Sequence, residues 1–140
     1  VEVEPHLALG YLTLGWTYLL KGMPDEGLAA MRKAVSLSPE NTLYLAQLGQ
    51  AYAQVGRTGE AREVLRQLEE LSRRRYVSPY HMAYVHTGLG EQERALDWLE
   101  RAYEERAGGI WGVKGSFLFR NLRAHPRFQA LLRKMNLGDR

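Results

Sequence analysis

The stretch LGQAYAQVGRTGEAREVL, residues 48–65, decides the fold. Thirty-four residues earlier the chain reads LGWTYLLKGMPDEGLAAM (14–31), and thirty-four later MAYVHTGLGEQERALDWL (82–99). Gly22, Gly56 and Gly90 keep this interval, as do Gly15, Gly49 and Ala83. So do Gly27, Ala61 and Ala95, then Met31, Leu65 and Leu99, and Tyr18 and Tyr52 with His86 in the third slot. Chance produces one such series, rarely four in phase. A period of this length marks a stacked array, in which each unit buries its apolar face against its neighbours.

Each unit predicts two amphipathic helices joined by a short turn. Tyr11, Leu14, Gly15 and Tyr18 fall at i, i+3, i+4 and i+7, one face of a helix. Gly22-Met23-Pro24 ends that helix and starts the next, which Ser36-Leu37-Ser38-Pro39 closes. The second unit repeats the plan with Leu45, Leu48, Gly49 and Tyr52, a turn at Gly56, and Thr58 as N-cap. In the third, Ser78-Pro79 supplies cap and first-turn proline, and Gly88-Leu89-Gly90 the turn. Small pairs (Gly15/Gly27, Gly49/Ala61, Ala83/Ala95) let the two helices of a unit approach closely. Because glycine costs about 1 kcal/mol against alanine inside a helix, Gly27→Ala is expected to stabilise.

Composition agrees with a folded chain: 140 residues, 45% hydrophobic and 25% charged, suit one domain rather than a disordered segment. The net charge of +3 comes from interspersed acids and bases, so no single-sign field is implied. The absence of cysteine excludes disulfides, thiolate metal sites and cysteine nucleophiles, and fits a cytoplasmic location. The least polar stretch, residues 10–20, falls short of a membrane span. The opening residues VEVEP alternate like a strand, yet Pro5 stands one period before Pro39. The longer period makes VEVE the last turn of a second helix, so the chain is expected to begin inside a truncated repeat.

The slots filled by Tyr11, Leu14-Gly15, Tyr18, Gly27, Met31, Ala34 and Pro39 resemble the tetratricopeptide repeat consensus, and the resemblance covers roughly residues 8 to 107. Unit two matches through Leu45, Leu48-Gly49, Tyr52, Ala61, Leu65 and Leu68, with Arg73 where the family has proline; unit three is best matched by LGEQERALDWLERAYEE. The resemblance implies an all-α, right-handed solenoid of three antiparallel helix pairs. Residues 1–7 are then the tail of a preceding repeat, 8–41, 42–75 and 76–107 the three repeats, and 108–140 a loop and a C-terminal capping helix. Phe128, Leu131, Leu132 and Met135 give that helix one apolar side, with Arg127, Arg133 and Lys134 expected to face out. GGIWGVKGS (108–116) is expected to turn the chain back, with a short helix around Phe117 to Leu122 helping to cover the third unit. The tail, with Phe119, Leu122-Arg123 and Pro126-Arg127-Phe128, also resembles the ends of repeat arrays in multidomain bacterial signalling proteins.

Chemistry is sparse. Lys114-Gly115-Ser116 has the wrong order for a phosphate loop and follows no strand. His6, His81, His86 and His125 lack ligand spacing, and His86 reads as a core histidine with a hydrogen-bond partner. Nothing resembles a nucleophile elbow. Arg73-Arg74-Arg75 ends a helix, where cations favour exposed carbonyls. Neither an enzyme, a cofactor nor a membrane partner is expected, and a nucleic-acid-binding surface through the Arg-rich faces ranks below the protein-partner readings. In the family the first helices line a concave groove, here through Leu12, Thr13, Trp16, Gln47, Gln50, Tyr80, His81 and Tyr84. Lacking the Lys, Asn and Arg with which some members clamp carboxylates, this apolar and aromatic surface suits an extended or helical peptide whose backbone pairs with glutamines. The expected function is a non-catalytic protein-interaction module of a larger bacterial signalling or regulatory protein. A homodimer through the exposed face of the first repeat is the alternative, since that apolar face invites cover by a missing repeat or a second copy.

Overall fold

The computed structural model describes residues 5–105 and 117–135, and the readings of VEVE and of 108–116 lie outside these. Six α-helices alternate in sequence: α1 (Pro5–Leu20), α2 (Pro24–Leu37), α3 (Thr42–Gln54), α4 (Thr58–Ser72), α5 (Pro79–Gly88) and α6 (Gln92–Glu104). A 3-10 helix (Phe117–Leu122) and α7 (Pro126–Lys134) follow. No strand occurs among the described residues, and the helices pack as the three pairs of a helical solenoid. Residues 5–7, placed by the period before the first repeat, form the first turn of α1, where a proline lacks only an N–H that the helix would leave unbonded.

The three turns are the same device. Gly22, Gly56 and Gly90 have φ of 77°, 86° and 76°, a region that other residues rarely adopt. Each lets the next N–H reach back to close the helix: Met23 to the Tyr18 carbonyl (2.9 Å), Arg57 to Tyr52 (2.8 Å) and Glu91 to His86 (2.9 Å). Helix starts are less uniform. Ser78 caps α5 by accepting from the Tyr80 N–H (3.2 Å), as its sequence predicts. Thr58 is instead the first residue of α4, and the capping position belongs to Arg57, whose guanidinium pairs with Glu60 at 2.6 Å. Asn41 caps α3, accepting from Tyr44, and the His125 Nδ1 caps α7, accepting from Arg127 (3.1 Å).

Within the first pair the backbones come close enough to overturn one expectation. A Cβ on Gly27 would lie 2.8 Å from the Gly15 carbonyl oxygen and 2.8 Å from Leu19 Cγ. Glycine is therefore required for α1 and α2 to approach, and its entropic cost is offset by the packing.

The core runs the length of the array through Met31, Ala34, Leu68, Val85, Leu96, Leu99 and Ala102, all fully buried. Phe128, Leu131, Leu132 and Met135 of the C-terminal element join it. Arg127 does not face out. Its guanidinium donates to Glu93 (2.8 Å), Asp97 (2.7 Å) and Glu100 (2.8 Å), three carboxylates that α6 presents on one side. His125 Nε2 also meets Glu93 at 2.6 Å, and the Tyr103 hydroxyl donates to the Lys134 carbonyl. The cap is thus held by an apolar stripe and an ionic clasp together.

Candidate functional site

Helices α1, α3 and α5 share one property of composition. None contains an Asp, Glu, Lys or Arg, whereas α2, α4 and α6 carry both signs of charge. Outer charges pair on the surface: Arg57 with Glu60, Arg66 with Glu63, Arg73 with Glu70 and Arg101 with Glu105. Arg75 crosses from the end of the second repeat to Glu40 (2.7 Å) in the loop before it. Two of the three consecutive arginines are therefore engaged by carboxylates. The signal was available from the sequence as three uncharged windows in register.

On the uncharged face the expected groove residues fall into three groups. Trp16, Gln47 and Tyr84 form one chain across the array: the Trp16 indole N–H donates to Gln47 Oε1 at 2.8 Å, and the Gln47 amide neighbours the Tyr84 hydroxyl. All three are more than nine-tenths buried, as are Leu12 and Tyr80, and Gln50 is fully buried. Tyr80 and Tyr84 meet edge to face with ring centroids 5.0 Å apart. Burial drives the Tyr84 hydroxyl far above the ordinary tyrosine range and raises Tyr80 as well.

His81 forms the second group. It is half-buried and its Nδ1 lies 2.9 Å from Thr42 Oγ1, so burial lowers its pKa to about 4. A neutral imidazole thus sits at the junction of the second and third repeats. Thr13 forms the third and is exposed. His86 is a core residue as its slot implies, 6% exposed, with Nδ1 2.8 Å from Glu91, which in turn binds Arg62 of α4 at 2.8 Å.

The C-terminal element completes the face. Phe119, fully buried, stacks on Tyr84 (centroids 5.0 Å, 15° between planes) and meets Tyr80 at 5.4 Å. Asn121 Nδ2 donates to the Thr87 carbonyl, and Gln92 donates to the Asn121 carbonyl. The 3-10 helix therefore roofs the third repeat, and its Arg120 also reaches the first-helix side of repeats one and two. There a pocket of about 250 Å³ is lined by Trp16, Leu19 and Leu20 of α1, Gln54 of α3 and Arg120 of the 3-10 helix. Among the described residues no group of three or more acidic or histidine side chains could hold a metal ion.

A family model described as tetratricopeptide repeat matches residues 10–112. The chain belongs to the tetratricopeptide repeat family. Among curated proteins, BBSome complex member BBS4 of Bos taurus is 48% identical over 48 residues, 34% of this chain and 9% of that protein. The chain thus spans only a small part of this relative's length. No solved structure matches. Repeats of this family are generally protein-interaction and scaffolding units rather than catalysts. No described helix is long and apolar enough to cross a membrane.

Proposed function

We propose that this tetratricopeptide repeat array binds an extended segment of a partner protein across the first-helix side of repeats one and two. The observation that carries the reading is the combination of three uncharged inner helices with a pocket lined by Trp16, Leu19, Leu20, Gln54 and Arg120. Such a lining is mostly polar; it offers the exposed Leu20 to a partner's apolar side chain and the Gln54 amide to a partner backbone. Of the groove residues named from sequence, Trp16 lines this pocket. Gln47, Gln50, Tyr80 and Tyr84 act beneath it, by fixing the relative positions of α1, α3 and α5 before any partner arrives. The tail's resemblance supports placing the module in a larger bacterial signalling or regulatory protein, and the lack of cysteine supports the cytoplasm.

Panning a random linear peptide library on the chain, then following backbone amide exchange with a selected peptide bound, tests the site. Protection in α1 and α3 is expected. Protection confined to residues 69–76, or binding lost when Arg73, Arg74 and Arg75 are changed to Gln, would place the partner on the basic run instead.

A second reading, self-association, is favoured by a different observation. Leu7 and Leu14 on α1 are 49% and 41% exposed, whereas Leu48, one period after Leu14, is 5% exposed on a helix that packs against α2. Whatever covers α1 should resemble α2, and a second copy is one source. Sedimentation across a concentration series checks this: a constant mass removes it, and a dimer abolished by Leu14→Glu supports it.

A further inference from the structure

Arg120 is the one residue with a formal charge among those lining the 250 Å³ pocket. It reaches the first-helix face from outside the repeats, carried by the 3-10 helix that Phe119 and Leu122 anchor by complete burial. Nothing on α1, α3 or α5 can neutralise it, because none carries a carboxylate. Arg127, seven residues on, is saturated by three carboxylates of α6, and Arg120 has no ion pair among the described residues. An exposed arginine lining one pocket with an indole, two leucines and an amide, beside helices free of acids, suits one anion with an apolar neighbour. Arginine's fork matches a carboxylate in two-point fashion.

From this we infer that Arg120 selects the partner: the bound segment carries an acidic side chain beside a bulky apolar residue, the carboxylate on Arg120 and the apolar group on Leu19, Leu20 and the Trp16 ring. This rests on the proposed groove function and specifies its ligand. A single cation suits a single carboxylate, whereas a nucleic-acid strand is held by a track of cations along its phosphates. The site does not use the first-helix positions of the repeats at which some relatives hold carboxylates. Its charge comes from the C-terminal cap, so recognition depends on an element outside the periodic sequence.

The test uses twelve-residue random peptides displayed as internal fusions, which have no free C-terminus, panned against the full chain and against Arg120→Gln. The wild-type pool should be enriched in Asp or Glu next to bulky apolar residues, and the Arg120→Gln pool should keep the apolar residues and lose the acids. A fluorescein-labelled peptide from the wild-type pool should bind Arg120→Gln roughly ten-fold more weakly, with Arg120→Lys between. Replacing its acidic residue by the amide should erase that difference. Arg120 is exposed, so both variants should keep the wild-type melting temperature. Selected peptides without acidic enrichment, or blind to Arg120, overturn this inference and leave the groove reading standing, provided α1 and α3 are still protected. Peptides that protect neither helix overturn the groove reading itself. Two further outcomes overturn the inference: a requirement for a free C-terminal carboxylate in place of the side chain, and Arg120-dependent binding of a labelled oligothymidine.

Discussion

The two junctions between repeats are built from the same thirty-four-residue pattern, yet they pack differently. At the second junction α3 and α5 lie together along much of their length. Gly88 presses so close that a Cβ there would sit 2.9 Å from the Gln50 carbonyl oxygen. Arg62, Glu91 and His86 bridge the same junction on the outer side, and Phe119 seals the inner side. At the first junction α1 meets α3 sparingly, with the Trp16–Gln47 hydrogen bond as a buried polar link. Openings flank it: the 250 Å³ pocket on the inner side and an apolar cleft of about 390 Å³ between α2, α3 and α4 on the outer side. Stability in such arrays is a sum over units and nearest-neighbour interfaces. The difference therefore predicts a graded molecule, firm at the capped end and looser at α1 and α2.

The largest expected effect comes from breaking the firm side. Phe119→Ala removes a fully buried ring and should cost about 3–5 kcal/mol, seen as a lowered melting temperature and loss of amide protection in α5. Unchanged protection there would mean that the 3-10 helix does not support the second junction. Next, Gly27→Ala should destabilise by about 1 kcal/mol net, because overpacking of some 1–3 kcal/mol outweighs the helix-propensity gain. Its effect should be confined to exchange in α1 and α2, and a rise in melting temperature would show that the pair can separate without loss.

Third, the second junction should respond to acid through His81. Its folded pKa of about 4 lies below the ordinary 6.5, so in that interval the unfolded chain binds a proton that the folded chain refuses. Stability is then full above pH 6.5 and declines as pH falls towards 4. His81→Gln should flatten that decline in denaturant titrations, and an unaltered pH profile would show that the imidazole is solvated. Trp16→Phe should cost a comparable amount, about 1 kcal/mol through loss of the bond to Gln47, appearing only as faster exchange in α1 and α2. If that substitution loosens α5 and α6 equally, the array unfolds as one unit and the gradation is wrong.

Much of this was legible in the sequence, and the reasons for the rest are specific. The turn glycines were legible because a positive φ leaves few alternatives, and the helix pairs because burial of one face imposes a period. Gly88 was read as part of a turn, but its role is close approach to α3, a contact between residues 38 positions apart that no local pattern reports. Arg127 looked like a solvent-facing residue because its three partners lie on another helix, 27 to 34 positions away. Tyr80 and Tyr84 were read as lining a groove, but both are buried with Phe119 packed on their rings, and Phe119 stands outside the repeat without a periodic counterpart.

The three glycine turns have one further consequence. Their closing bonds use backbone carbonyls of Tyr18, Tyr52 and His86, so closure of the turn does not depend on which side chain fills that slot. In the third repeat the freed position holds an imidazole that meets the acid following its own turn and, through it, an arginine of the repeat before. A sequence can therefore vary at this slot without bending the array, and use it to decide how tightly one repeat is tied to the next.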